Sequence, residues 1–161
     1  MKKVFSVSAY LVREQLIGPG VEVHAVGSVV ARDTHEVLLV RHPRYGLWLP
    51  PGGCVESNET PWEAVVREVG EETGLVLTEE HCVSFDKRSI AGLFRYDEHL
   101  AGDDLHMNFN FAARAPAGEA KISAEHVGFA WQAMTVFDAK DLPDNVRCNL
   151  RFLAEVWGDL L

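Results

Sequence analysis

The alternation of apolar and polar residues along the chain predicts a protein of many strands and two helices. Apolar runs or period-two patterns bounded by turn residues are typical of strands, and apolar residues three and four apart are typical of helices. Strands are predicted at residues 4–12, 21–31, 36–41, 82–96 with a break near Gly92, 105–114 and 127–133, turns at 19–20 and 32–35, and helices over 61–73 and 144–160. This order predicts an α/β fold in which a mixed sheet carries one helix on each face.

The first helix has sequence signals at both ends. Thr60, Pro61 and Glu63 stand where an N-cap, a first helical residue and a capping-box partner belong. Gly74 suits the left-handed position that follows a helix. We therefore expect this helix to end at Thr73.

Three carboxylates occupy one side of the first helix. Glu68, Glu71 and Glu72 are three and four residues apart, so their side chains are neighbours, and like charges there oppose helix formation. Arg67 is the only cation in the helix. A divalent metal between the carboxylates would relieve the repulsion, and a solvated acidic face is the alternative.

Residues from Gly53 to Leu75 resemble the Nudix box, G-x5-E-x7-R-E-U-x-E-E-x-G-U, in which U is apolar. Its fixed positions are filled by Gly53, Glu59, Arg67, Glu68, Val69, Glu71, Glu72, Gly74 and Leu75. Seven of them demand one residue type, each expected at about one in fifteen, so a chance match at a given start is far below about one in a million. The chain thus resembles the Nudix hydrolases, which implies an α/β/α sandwich with a mixed β-sheet between two main helices, as one domain over residues 1–161.

By this resemblance, Glu68, Glu71 and Glu72 are the expected ligands of Mg²⁺ or Mn²⁺, and the Gly53 carbonyl is a candidate further ligand. Oxygen ligands suit Mg²⁺, which keeps several waters and commonly bridges to substrate phosphates. Glu59 is expected to hold Arg67, because metal-binding carboxylates need orienting partners. Arg67, Glu68 and Glu71 are the expected catalytic residues.

The reaction implied by the resemblance is hydrolysis of a diphosphate linkage in a nucleoside diphosphate joined to another group, by attack of water on phosphorus. The general base is left open between Glu71, Glu98 and Glu125. One alternative is a Nudix-fold module that binds a nucleotide without cleaving it, and another is isomerisation of an isoprenoid diphosphate on the same scaffold. The box itself does not identify the substrate.

Candidate substrate-binding residues lie outside the box. Arg41 and Arg44 precede it and could meet phosphate or ribose, although unpaired surface cations have the same appearance. His106 alternates with apolar residues in the strand at 105–114, as do Asn108 and Asn110, so one face of that strand is polar. This polar face either lines a site or is solvated.

Composition and charge narrow the class of partner. The chain has 161 residues and a net charge of −9, which argues against non-specific binding of nucleic acid. A small phosphate-bearing molecule is the expected partner, and a homodimer is a further expectation. Three cysteines without CxxC spacing indicate neither a disulfide framework nor a zinc site, so we expect reduced thiols and a cytoplasmic protein. The short apolar run at 4–12 alternates like a strand and lacks a cleavage pattern, so we do not expect a signal peptide.

Overall fold

The computed structural model describes residues 22–83, 85, 92–101, 104–135 and 141–160. The strand predicted at 4–12 and the turn at 19–20 lie outside this range. Among the described helices, none is long and apolar enough to cross a membrane.

The described residues form a seven-stranded mixed sheet and two long helices. In chain order the elements are β1 (Glu22–Ala31), β2 (Glu36–Arg41), β3 (Trp48–Leu49), β4 (Gly52–Cys54), α1 (Pro61–Thr73), a 3₁₀ turn (Glu79–His81), β5 (Leu93–Ala101), β6 (Asp104–Arg114), β7 (Phe129–Ala133) and α2 (Asp144–Leu160). The strand order is β3-β2-β1-β6-β5, with β4 paired to β1 and β7 paired to β2. The β1–β6 pair is parallel and the other pairs are antiparallel.

The helices cover opposite faces of the sheet, as the pattern predicts. Alternate residues of β1 and β2 enter two separate apolar clusters, because successive side chains of a strand point to opposite faces. The cluster containing Val30 and Leu38 includes Val65 and Val69 of α1. The other cluster is built with α2, and its members include Val29, Val37, Leu39, Ala112, Leu150, Leu153 and Trp157. The α/β/α sandwich is therefore confirmed.

Both helices have the predicted bounds, whereas the strands differ in places. The predicted strand over 82–96 is wrong at its start, because Cys82 makes only an isolated bridge to Ala113 and the strand itself begins at Leu93. It also extends beyond the predicted end, to Ala101. The short strands β3 and β4 were not predicted, since two or three residues carry no readable period.

The capping box of α1 forms as expected. The Thr60 amide donates to Glu63 Oε2 at 2.7 Å, and the Glu63 amide donates to Thr60 Oγ1 at 3.3 Å. Gly74 closes the helix with φ of 70°, in the left-handed region that favours glycine. These caps fix the register of α1 and hence the directions of its carboxylates.

Candidate functional site

Two glycines of β4 bring its backbone against β1 and α1. Gly52 pairs with Gly27, and a Cβ at Gly52 would lie 2.1 Å from the Val26 carbonyl oxygen. A Cβ at Gly53 would lie 2.3 Å from Glu68 Oε1. At Gly52 the atom met is backbone, so only glycine fits there, whereas at Gly53 it is the end of a side chain. β4 therefore lies close to both the central strand and α1.

Arg67 organises the acidic face of α1. Its Nη2 donates to Glu59 Oε1 at 2.6 Å and its Nε donates to Glu59 Oε2 at 3.1 Å. Its Nη1 donates to Glu68 Oε1 at 2.8 Å and to Glu71 Oε2 at 3.3 Å. Nη2 also donates to the Cys54 carbonyl at 2.9 Å, so one guanidinium joins the glycine turn to the helix. The expected Glu59–Arg67 pair is present.

The contact between Glu59 and Arg67 shifts the pKa values of both side chains. Hydrogen bonding from Arg67, together with the Glu56 amide, lowers the pKa of the Glu59 carboxyl below its usual 4.5. The hydrogen bond to Glu59 raises the pKa of Arg67 further above its ordinary range. Both groups are therefore charged at neutral pH, and the guanidinium of Arg67 is held in a fixed direction.

Glu72 is turned into the protein and is only 5% exposed. Its Oε2 accepts from the Gly52 amide at 3.1 Å, and its Oε1 lies 2.8 Å from His126 Nε2. Burial raises the pKa of the Glu72 carboxyl, and the contacts with His126 and the Gly52 amide oppose that rise. Burying an ionised carboxylate costs free energy unless it meets a cation.

The three carboxylates of α1 share one side of the helix but do not meet at one point. Glu68 and Glu71 bind Arg67, whereas Glu72 binds Gly52 from the opposite direction. In the described residues, no group of three or more His, Cys, Asp or Glu side chains is close enough to hold a metal ion. Glu68 and Glu71 therefore share Arg67 as a donor, whereas Glu72 is held by the Gly52 amide.

The donor set fits a hard divalent cation. Glu68, Glu71, Glu72 and the Gly53 carbonyl offer oxygen atoms, the ligand type that Mg²⁺ and Mn²⁺ take in proteins. Glu72 is a buried carboxyl group, and the His126 ring beside it has no hydrogen-bond partner in the part of the chain that the structure describes. These two features give a cation a local electrostatic reason to bind there.

His126 is a site residue that the sequence patterns missed. Its loop lies along the end of α1, where the Lys121 amide donates to the Thr73 carbonyl at 2.7 Å and the Ser123 amide donates to the Glu72 carbonyl at 3.0 Å. No motif marks this histidine. The only signal was its neighbour Glu125, an exposed residue in the same loop and one of the predicted bases.

The loop before β3 places the predicted phosphate-binding arginines near this histidine. The His42 ring lies 6.3 Å from the His126 ring and stacks on Tyr45 at 4.7 Å. The Arg44 guanidinium lies 5.5 Å from the centre of the Tyr45 ring. Arg41 is exposed at the end of β2, and its Nε donates to the Gly46 carbonyl at 3.4 Å. Arg44 and Tyr45 thus border the end of α1 that carries Glu72.

Two other predicted residues lie farther from the box. His106 is opposite Val23 in the sheet, and Val23 is four residues along β1 from Gly27, about 13 Å away. Glu98 is on β5, three strand spacings from β4, about 14 Å away, and accepts a hydrogen bond from the Tyr96 hydroxyl. Of the predicted bases, Glu71 is the one on the box helix, and its side chain is 58% exposed.

A buried polar network connects the sheet to α2. The Asn149 amide nitrogen donates to Asn110 Oδ1 at 3.1 Å, and Arg95 Nη1 donates to Asn149 Oδ1 at 3.0 Å. Asn110 in turn donates to Asp97 Oδ2 at 2.8 Å. The predicted polar face of β6 is therefore engaged with α2 at Asn110 rather than simply solvated there.

Comparison with known proteins agrees with the geometry. A sequence model of the NUDIX domain matches residues 22–155. The uncharacterized Nudix hydrolase YvcI of Bacillus subtilis is 30% identical over 118 residues, which cover 73% of this chain and 70% of that protein. An ADP-ribose pyrophosphatase of Methanocaldococcus jannaschii is 46% identical over 54 residues, 32% of each chain. The crystal structure of a MutT protein from Methanosarcina mazei matches the fold with a TM-score of 0.68 at 21% identity, covering 86% of this chain and 96% of that one.

Proposed function

The chain belongs to the Nudix hydrolase family, and from that premise we propose that it hydrolyses a diphosphate linkage in a nucleoside diphosphate joined to another group, with Mg²⁺ or Mn²⁺. The observation that carries the proposal is the placement of Glu72, a buried carboxylate beside the Gly52–Gly53 turn. Only a third of the archaeal ADP-ribose pyrophosphatase is covered, so its substrate suggests a class and not a molecule.

A diphosphate is anionic and repels a water nucleophile. A bound cation would neutralise the phosphate oxygens and lower the pKa of an attacking water. Glu68, Glu71, Glu72 and the Gly53 carbonyl are the residues that would hold it. The protein's part is to keep these oxygens fixed before the substrate arrives, because preorganised charge needs no rearrangement during reaction.

Arg67 and Glu59 are the proposed orienting pair for this site. Arg67 binds Glu59 with two donors and holds Glu68 with a third, so Glu68 cannot rotate freely. Glu71 is the most exposed of the box carboxylates and accepts one longer contact, at 3.3 Å. We assign it the role of accepting the proton from the attacking water, because an exposed carboxylate can reach solvent and substrate.

The side of the substrate away from the cleaved bond would lie against the His42–Tyr45 loop. Tyr45 is 60% exposed and lies under Arg44, so the loop offers an aromatic surface and a positive charge together. A base stacks on such a ring, and a phosphate or ribose accepts from such a guanidinium. Arg41 and His106 are proposed as secondary contacts.

The direct test is a panel of diphosphate compounds incubated with the protein and Mg²⁺ or Mn²⁺ in ¹⁸O-water, with products identified by mass. We expect two phosphate-bearing fragments, one of them labelled, and the labelled fragment identifies the phosphorus attacked. Binding of a nucleotide without cleavage would favour the silent module instead. Conversion without release of a phosphate-bearing fragment would favour isomerisation.

A further inference from the structure

We propose that His126 Nε2 is a nitrogen ligand of the cation held by Glu72, and that this site therefore prefers Mn²⁺ to Mg²⁺. The inference rests on the proposed function, since it assumes that Glu72 binds a cation. It adds a residue outside the box to the ligand set and changes the class of metal that the set selects.

The first observation is the state of the His126 ring. Its side chain is 5% exposed, and its Nε2 lies 2.8 Å from Glu72 Oε1. Within the described residues, neither ring nitrogen has a partner that meets both the distance and the direction of a hydrogen bond. A buried imidazole with two unsatisfied nitrogens is costly, and binding an ion through Nε2 would satisfy one of them.

The second observation is the geometry of the contact. The Nε2 to Oε1 separation is short enough for a hydrogen bond, yet the direction from the ring is not that of one. Adjacent ligands around an octahedral ion with bonds of about 2.1 Å are separated by about 3.0 Å. The 2.8 Å between His126 Nε2 and Glu72 Oε1 is close to that separation.

The third observation is how firmly the ring is placed. The Ser123 amide binds the main-chain carbonyl of Glu72, and the His126 amide donates to the Ser123 carbonyl at 3.4 Å. Glu72 therefore meets this loop through both its backbone and its side chain. The loop brings His126 to Glu72 without depending on the ring contact itself.

A positioning role for His126 is the main competing explanation. Histidines that orient a metal ligand donate a directed hydrogen bond to it, and that direction is lacking here. Imidazole ligands favour transition-series ions, whereas an all-oxygen set suits Mg²⁺. A nitrogen ligand and a positioning residue thus predict different metal preferences and different magnetic signatures.

The test is three-pulse electron spin-echo spectroscopy of Mn²⁺ bound to the full chain, which detects a directly coordinated ¹⁴N. We expect histidine ¹⁴N modulation in the parent protein, its loss in His126→Asn, and its retention in His35→Asn. His35 is an exposed turn residue with φ of 62°, which asparagine accepts, so it is a matched control. Calorimetry should show Mn²⁺ affinity falling about tenfold or more in His126→Asn, with a smaller change for Mg²⁺.

The outcomes separate this inference from the proposed function. Parent protein that binds Mn²⁺ and cleaves a diphosphate without ¹⁴N modulation would overturn the His126 ligand alone. Modulation that persists in His126→Asn would also overturn it. Failure of Mn²⁺ to bind at all would overturn the proposed function and this inference together. Should His126→Asn not fold, His126→Gln provides the same decision.

Discussion

The guanidinium of Arg67 binds the Glu59 carboxylate with two nitrogens, with Nη2 2.6 Å from Oε1 and Nε 3.1 Å from Oε2. Its remaining nitrogen holds Glu68 at 2.8 Å. A planar fork can satisfy this pattern and a single ammonium cannot. The orientation of Glu68, a proposed metal ligand, therefore depends through Arg67 on Glu59, which lies nine positions before Glu68 in the chain.

Replacing Arg67 by lysine should lower turnover by about 10–100-fold, the range seen when a partner of a metal ligand is lost. The lysine keeps the charge, but its single ammonium group cannot make both the bidentate contact with Glu59 and the hydrogen bond to the Cys54 carbonyl. Steady-state kinetics at saturating metal measure this change. Arg32→Lys is the control, because Arg32 makes an exposed ion pair with Glu36 at 3.6 Å. Equal turnover in the two variants would contradict the orienting role.

The Glu59 carboxyl should titrate below its usual pKa of 4.5, because Arg67 stabilises the ionised form. A carboxyl with a lowered folded-state pKa contributes stability that is complete above its unfolded-state pKa and is lost as the pH falls through the folded-state value. The stability difference between the parent and Glu59→Gln should therefore shrink below pH 4.5. Urea unfolding at several pH values and ¹³C titration of Glu59 measure this. A difference that does not vary with pH would count against the pair.

The Glu72→Gln change should leave the fold intact and remove most metal-dependent turnover, since the amide keeps the shape but not the charge. We expect a loss larger than the about 10–100-fold that accompanies the loss of an outer partner. Circular dichroism checks the fold and product release measures turnover. Glu80→Gln, in the exposed 3₁₀ turn, is the matched control. Near-parental turnover of Glu72→Gln at saturating Mg²⁺ would refute the metal assignment.

Alanine substitutions at the two glycines of β4 should affect different properties, stability at Gly52 and turnover at Gly53. At Gly52 the added Cβ meets the backbone oxygen of Val26, which cannot move aside, so we expect a loss of about 3 kcal/mol or more in unfolding free energy. At Gly53 it meets the end of the Glu68 side chain, which can move aside only by giving up its hydrogen bond from Arg67. There we expect a stability change below about 1 kcal/mol and a loss of about 100-fold in turnover, because Glu68 is displaced. Denaturant unfolding and kinetics on both variants test the contrast, and identical behaviour would contradict it.

Truncation of Asn149 should destabilise the fold, because Asn110 and Arg95 lose a buried partner. We expect Asn149→Ala to cost about 1–3 kcal/mol. Asn145→Ala, an exposed position one turn earlier in α2, should stay within about 0.5 kcal/mol of the parent. Urea unfolding of the two variants decides the matter, and a negligible effect at Asn149 would show that the network adds no stability.

Features set by local chemistry were predictable from the sequence. Both helices have the expected bounds, and α1 in particular combines an N-cap, a capping box and a C-terminal glycine between Thr60 and Gly74. The predicted ends of the long strands β1, β2 and β6 are correct to within one residue, because their apolar patterns and turn residues are also local features. The start of the strand predicted at Cys82 was wrong, because Cys82 does lie beside β6 but pairs with it only through the bridge to Ala113, and an apolar run does not reveal how far such pairing extends.

Features set by contacts distant in sequence could not be predicted. Helical spacing gives the angle of Glu72 around α1, but not the Gly52 amide that draws its carboxylate inward. The approach of His126 to Glu72 depends on main-chain bonds between a loop and the end of a helix about fifty residues earlier. Neither relation has a sequence pattern, and both bear on the chemistry.

The bond between the Gly52 amide and Glu72 has a consequence for how proteins of this kind can diversify. Gly52 belongs to a strand paired with the centre of the sheet, so Glu72 is bound to the most buried part of the fold. In the loop between β2 and β3, the Arg44 and Tyr45 side chains are exposed. Natural variation and laboratory evolution can therefore alter that loop to accept new substrates, while a side chain added at Gly52 disturbs folding and the position of Glu72 together.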